Sequence, residues 1–389
     1  MAERYISILQ NSSLQTLLTV PHKHTGVHPT GFVIQTNEGQ PSFPFTVCPV
    51  TYYKENEEPP GSNPHDVLVF YSKDLGDLET LLYTLWEQYK EHALEQTSCS
   101  QKRYIYTNTL PPRKIVIPCL GRKENLIATL KRFQMIDLPA EGYRPLLCIV
   151  EHSPYYELEK IASEYNCEYL WFFMDPRIPE LPLGQFNKAL CYDKSFLYTT
   201  PAEWYLFHDN DVLVPRDFWR RIDANVRRAQ TKFLQPYTHR CLLNTLPAIG
   251  EYLRTNPALA DTPLQEDMRY PLTPGAPGGS LYLHRQRYLE VGGHDPNFFW
   301  GYGPEDRFFF EKLSLLEPIA YADEPPIEMI HLWHPSAENN NPFRHEMDWF
   351  SHVFFQGKTL EEKHSYMKQK QTVLEMILHS IQESGDAKQ

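Results

Sequence analysis

Two aspartates one residue apart, Asp209-Asn210-Asp211, follow the apolar run Trp204-Tyr-Leu-Phe-His208 and precede Val212-Leu-Val-Pro215. On extended backbone, carboxylates at i and i+2 point to one side, so both can face one ligand. Hard divalent cations take such oxygen donors while also binding substrate phosphates. A turn or helix cap is the structural alternative, and position at the end of a buried strand favours the cation. A second cluster, His331-Leu-Trp-His334, carries imidazoles three residues apart that can converge on one ion from a turn or helix. Nitrogen donors favour manganese over magnesium, and a satisfied core histidine is the alternative for either ring. A third run, Trp300-Gly-Tyr-Gly-Pro-Glu-Asp306, puts Pro304 in the first turn of a helix with Gly303 near the cap. Glu305 and Asp306 then stand where the helix dipole favours ionised carboxylates. Such a carboxylate suits a general base facing a hydroxyl, and ordinary acidic capping suits it as well. Gly278-Gly279-Ser280 provides backbone that can approach a ligand closely, or a tight turn before a strand at Leu281 to Leu283. Arg122 stands just past the first strong strand, where it meets a diphosphate or a base, or is surface charge.

The elements that must hold these residues alternate. Lys114 to Pro118, Pro145 to Val150, Glu168 to Phe173 and Trp204 to His208 read as strands. Between them, helices are predicted over Glu124 to Met135, Tyr155 to Tyr165 and Phe186 to Leu197. This rhythm predicts an α/β fold with a doubly wound, mostly parallel sheet, which binds ligands beyond the C-terminal ends of its strands. The acidic run sits at one of those ends. A charged helix, Leu360 to Gln382, forms a tail.

Residues 1–112 form an N-terminal extension without recognisable chemistry. Asp66 to Tyr71 predicts a short strand and Leu75 to Leu94 a helix. His22, His24 and His28 lie in a stretch punctuated by proline and glycine, which reads as a solvated loop. We therefore expect three parts: 1–112, a catalytic region 113–341, and the helical tail 342–389.

A net charge of -12 argues against wholesale binding to nucleic acid or an anionic membrane. Seven cysteines without paired spacing suit a reducing compartment. Neither a signal peptide nor an apolar stretch of about eighteen residues is present, so the chain is expected to be cytoplasmic, with no membrane span.

In their order, these pieces resemble the β-1,4-galactosyltransferase-like family of GT-A glycosyltransferases. The stretch Ile115-Val-Ile-Pro118 to Arg122 is similar to that family's donor-binding opening, and Phe186-Asn-Lys-Ala189 to its Phe-Asn-Arg-Ala element. Asp209-Asn-Asp211 resembles its Asp-Val-Asp motif, and Gly278-Gly279 its double glycine. Gly292-Gly-His-Asp295 through Asp306 looks like its acceptor-site block, and His331-Leu-Trp-His334 like its downstream metal element. The similarity spans residues 113–336. The Trp-Gly and Glu positions also resemble the C-terminal block of polypeptide GalNAc-transferases.

The resemblance implies a UDP-sugar donor, a glycan or glycoconjugate acceptor, and Mn2+ or Mg2+. It implies Asp211, His334 and His331 as metal ligands, with Asp209 near the ribose or a metal-bound water. Pro118, Arg122, Asn187 and Gly279 would line the nucleotide, and Tyr302 would contact both sugars where the family has tryptophan. Asp306 would be the base and Glu305 a hydroxyl ligand in an inverting transfer of Gal, GalNAc or GlcNAc. The chain departs from the family at Gly303-Pro304, where a double glycine is usual, at Arg307, which replaces a third acid, and at Ala276, where a tyrosine is common. Retaining transfer, a metal-dependent phosphoesterase and an inactive carbohydrate-binding homologue are the competing expectations.

Overall fold

The computed structural model describes residues 29–36, 45–51, 70–72, 112–174, 184–237, 242–270, 278–335, 341 and 344–386. The chain divides into two compact units: 1–98 with 174–185 and 342–347, and 99–173 with 186–341 and 348–389. In the first, β1 (Pro29–Thr36), β2 (Phe45–Thr51) and β3 (Phe70–Ser72) form an antiparallel sheet in that order. Strand β3 meets the end of the expected Asp66 to Tyr71 strand. The helix at Leu75 to Leu94 and the His22 to His28 loop lie outside the described residues.

The second unit is built on a seven-stranded sheet. In chain order its elements are β4 (Arg113–Cys119), α1 (Lys123–Met135), β5 (Leu146–Ser153), α2 (Glu159–Glu164), β6 (Glu168–Phe173), α3 (Lys188–Tyr198) and β7 (Trp204–His208). Then follow β8 (Val212–Leu213), α4 (Phe218–Ala229), β9 (Phe233–Gln235), β10 (Leu242–Asn244), α5 (Pro247–Thr255) and β11 (Ser280–His284). The remainder are α6 (Arg285–Glu290), α7 (Glu305–Ser314), β12 (Ala320–Tyr321), β13 (Met329–His331) and α8 (Leu360–Asp386).

Strands β4 and β5 are buried over most of their length, as expected of parallel strands covered on both faces. The sheet order is β12-β9-β11-β7-β4-β5-β6, with β7, β4, β5 and β6 mutually parallel and β11 reversed. The mostly parallel α/β sheet expected from the sequence is therefore present. Strand order reverses between β4 and β7: the chain steps outward from β4 to β5 and β6, then returns to the other side of β4. At such a switch point doubly wound sheets open a crevice at the carboxyl ends, and here the loops after β4 and β7 meet there through Arg122 and Asp211.

Helix α1 packs Leu126 and Leu130 against Ile115, Ile117 and Trp219, each leucine contributing about 1.5–3 kcal/mol by burial. Helix α2 is shorter than the predicted Tyr155 to Tyr165 segment, because the Glu151 carboxylate accepts from the Glu157 and Leu158 N–H groups and holds that turn out of helix. A second sheet, β10-β13-β8, lies beside the crevice and carries His331 at the end of β13.

Helix α8 extends the predicted tail to Asp386 and docks on the glycine pair at 292–293. Among the described residues no helix is long and apolar enough to cross a membrane.

Candidate functional site

The carboxyl end of β7 is where the acidic run lies, and it folds differently from the extended form expected. Asn210 and Asp211 make a turn between β7 and β8, so the two carboxylates face different partners. Asp211 is 1% exposed. Its Oδ1 lies 3.5 Å from His331 Nε2, and its Oδ2 lies 3.3 Å from His334 Nε2 and 2.6 Å from Arg122 NH1.

The histidines reach it through the small sheet. His331 pairs with Val212 in the β13–β8 ladder, and Leu332 N donates to Asp211 O at 2.8 Å. The following turn is pinned by Thr245, whose Oγ1 accepts from Trp333 N at 2.9 Å and donates to His331 O at 3.2 Å. Both rings thus come from a strand end and a turn, not from a helix. A side chain at position 250 would meet Trp333 N at 2.9 Å, so Gly250 keeps this turn close. Sequence reasoning passed over Thr245 and Gly250, since neither belongs to a recognisable motif.

Asp211, His331 and His334 each offer a ligand atom, all within 4.8 Å of one another. Burial keeps His334 below the usual imidazole pKa and hence neutral, the form that binds metal. Asp211 Oδ1 is buried and accepts no hydrogen bond among the described residues, an oxygen shaped for a cation. Two imidazoles and one carboxylate fit a divalent ion of mixed nitrogen and oxygen preference.

Asp209 does not join this set. Its backbone N–H donates to Gly279 O at 2.9 Å, and its Oδ1 lies 2.7 Å from Lys188 Nζ. The same ammonium lies 2.9 Å from Asp306 Oδ2. Lys188 therefore bridges the acid after β7 to the acid at the start of α7. Burial works against its charge, but Asp209 and Asp306 outweigh that and hold its pKa well above the ordinary lysine value. The sequence reading gave Lys188 no role, although the Phe186-Asn-Lys-Ala189 element contains it and a cation in the first position of a helix, where the dipole disfavours it, was a further signal.

Helix α7 begins at Glu305 with Pro304 in the cap position, so Gly303 lies just outside, not at the cap. Glu305 is pushed up to about 8 by burial and by the Asp306 charge. It carries a proton at neutral pH, which leaves the negative charge of the pair to Asp306. Burial also raises Asp306, with the Asp209 charge adding and Lys188 drawing it back. Asp306 Oδ2 faces position 278, where a Cβ would stand only 2.7 Å from it. Gly279 has φ +100° and lies over the buried Tyr237 hydroxyl. Gly278 thus leaves room for Asp306, and Gly279 for Tyr237, through absence of side chains.

The other expected contacts are distributed as follows. Arg122 has left-handed backbone (φ 51°) at the cap of α1 and aims its guanidinium at Asp211. Pro118 is buried in β4, the strand that pairs with β7, which leads into the Asp211 turn. Asn187 caps α3: its Oδ1 accepts from Leu190 N at 2.8 Å and its Nδ2 donates to Pro296 O at 2.7 Å. Both ends of its amide have partners within the chain. Tyr302 is half exposed, and its carbonyl, with that of Trp300, accepts from Asn341 Nδ2. Gly301 N donates to Phe186 O at 2.6 Å, which ties this loop to the start of α3.

The run Gly292 to Asp295 is interior, not crevice. Asp295 and Lys312 form a buried ion pair, and Tyr366 and Lys370 of α8 complete it. Ala276 lies outside the described residues.

Fold and site together define an α/β protein with a histidine–carboxylate cluster, able to hold a cation, at its topological switch point. No family model matches the chain, and no curated protein matches it. Among solved structures, it is similar in part to the catalytic domain of Drosophila β1,4-galactosyltransferase 7, at 13% identity and TM-score 0.35, over 60% of this chain and 75% of that one. It is similar to Staphylococcus aureus TarS at 11% identity and TM-score 0.39, over 58% of this chain and 37% of that one. A third, Mycobacterium tuberculosis glucosyl-3-phosphoglycerate synthase with Mn2+, UDP and phosphoglyceric acid, has 16% identity and TM-score 0.32, over 54% and 67%. Likeness at this level does not bear on function. The fold rests on the strand order described above.

Proposed function

We propose that this chain is a metal-dependent, inverting GT-A glycosyltransferase that moves a hexose or N-acetylhexosamine from a UDP-sugar to a carbohydrate hydroxyl. The observation that carries this reading is that one loop, after β7, joins the cluster Asp211–His331–His334 to a second acid centre at Asp306, through Asp209 and Lys188. A phosphoesterase needs the first and has no evident use for the second.

Asp211, His331 and His334 would hold Mn2+, with Mg2+ a poorer fit to two imidazoles. When bound, the ion supplies positive charge to a departing diphosphate. Arg122, already directed at Asp211 Oδ2, adds a second cationic group beside it. Asp306 takes the proton from the acceptor hydroxyl, whose oxygen forms the new bond to the anomeric carbon. The bond from that carbon to the diphosphate oxygen breaks, and its electron pair leaves with UDP. Protonated Glu305 donates a hydrogen bond to a sugar hydroxyl, and Tyr302 and Trp300 border the sugars. Asp209 and Gly279 face the donor from the β7 side, with Asn187 fixing the start of α3. We assign catalysis to 113–341 and leave 1–112 and 342–389 outside the reaction.

The test is a panel of UDP-sugars with and without Mn2+, read by thermal shift and by donor turnover, with the product anomer determined by NMR. A donor that binds only with metal and yields an inverted product supports the reading. A retained configuration removes Asp306 as base, and turnover of simple phosphoesters in place of UDP-sugars overturns the class.

A further inference from the structure

The ion pair across the crevice suggests a role for a residue that the motifs leave unassigned. Lys188 opens α3, whose N-cap Asn187 is fixed by bonds to Leu190 N and Pro296 O. Asn187 N also donates to His152 Nδ1 at 3.0 Å, so the helix start is held on three sides. The lysine stem stands 5.9 Å at Nζ from the centroid of the buried Tyr192 ring, which limits where the ammonium can go. From this anchored base it contacts Asp209 Oδ1 at 2.7 Å and Asp306 Oδ2 at 2.9 Å.

Lys188 and the backbone at Gly278 both approach the same oxygen of Asp306. Lys188 donates to Oδ2, and Gly278 leaves the space against Oδ2 that a Cβ would fill at 2.7 Å. We infer that Lys188 is a positioning residue which locks Asp306 Oδ2 to the β7 strand end through Asp209, so that Oδ1 is the oxygen presented to the acceptor hydroxyl. This inference rests on the glycosyltransferase reading. The tie fixes the side-chain rotamer of the base relative to the residues that border the donor. A misplacement of about 1 Å at such a group can cost about a hundredfold in rate.

The experiment compares wild type with Lys188→Met, Lys188→Arg, Asp306→Asn and the Lys188→Met/Asp306→Asn double variant. For Lys188→Met, kcat of transfer should fall about a hundredfold, while acceptor KM and Mn2+-dependent UDP binding stay within about threefold. Lys188→Arg, which keeps the charge, should recover at least about tenfold of that loss. In the Asp306→Asn background the methionine should cost less than about threefold more, because its effect is exerted through the base. UDP affinity falling in step with kcat, multiplying effects in the double variant, or an arginine no better than methionine each overturns the inference.

A thermal-unfolding cycle on the same four proteins reads the tie without any substrate. Non-additive Tm shifts support it, and additive ones overturn it. Wild type that shows no metal-dependent UDP binding would instead refute the functional reading, with the Lys188–Asp306 coupling still measurable.

Discussion

Arg122 NH1 donates to Asp211 Oδ2 at 2.6 Å, and that same oxygen lies 3.3 Å from His334 Nε2. The guanidinium thus occupies one side of the carboxylate around which the imidazoles converge. Arg122 is a third exposed, so the contact is screened on one side by water.

A cation in that position competes with any metal for Asp211. Arg122→Met should therefore bind Mn2+ alone more tightly, by about tenfold, while its Mn2+-dependent UDP affinity falls. Titration of free Mn2+ by electron paramagnetic resonance, with and without UDP, separates the two effects. Weaker Mn2+ binding in the absence of UDP would show that the arginine supports the site and does not compete for it.

Gly278→Ala should impair turnover far more than folding. The new methyl would stand 2.7 Å from Asp306 Oδ2, which must turn away from Lys188 to relieve it. We expect kcat to fall about tenfold to a hundredfold with little change in Tm. Steady-state kinetics beside a melting curve decide this, and unchanged kcat would contradict the close approach.

Glu305 provides a pH signature. Its folded pKa, about 8, lies above the ordinary value of 4.5 because of burial and the Asp306 charge. A raised pKa means that the folded state holds the proton more tightly than the unfolded state. Its contribution to stability is full below about 4.5 and is lost as pH rises toward about 8. Glu305→Gln, which cannot ionise, lacks this dependence. The stability of wild type relative to the variant should fall steadily from pH 5 to pH 8, as read by denaturant unfolding at several pH values. A flat difference would place the Glu305 pKa near that of an exposed carboxylate.

The docking of α8 should depend on Gly292. Its φ is +73°, and a Cβ there would meet Lys370 Cβ at 2.2 Å and Gln371 N at 2.9 Å, so the helix backbone must move. Gly292→Ala should cost about 1–3 kcal/mol or more. It should also expose α8 to protease, because Tyr366 and Lys370 lose their hold on Asp295. Limited proteolysis with mass spectrometry reads the displacement, and an intact α8 with unchanged Tm would refute it.

Much of the scaffold could be read from residue order alone. The runs at 113–119 and 204–208 are strands whose side chains are buried on both faces of a parallel sheet, while 168–173 is an edge strand with alternating burial, and local composition carries both signals. Helix α1 and the charged tail were likewise visible in their periodicity. Asp211, His331 and His334 could be nominated by residue type. Their convergence could not be derived from spacing, since it depends on the register that sets His331 opposite Val212. Alternation along a strand also implied that Asp209 and Asp211 act together, whereas a turn at Asn210 and Asp211 separates them. The interior place of Gly292 to Asp295 was hidden for a similar reason, because the helix that covers it starts more than sixty residues later at Leu360.

The sequence by itself determined which chemistry is available: an acid pair, two histidines and a base candidate on an alternating α/β frame. Only the tertiary structure decided how they are grouped. Asp211 goes with the histidines, and Asp209 goes with Lys188 and Asp306. The physical reason is that each grouping includes a contact between segments more than a hundred residues apart, Asp211 with His331 and Lys188 with Asp306, and strand register and helix caps, not local spacing, set those distances.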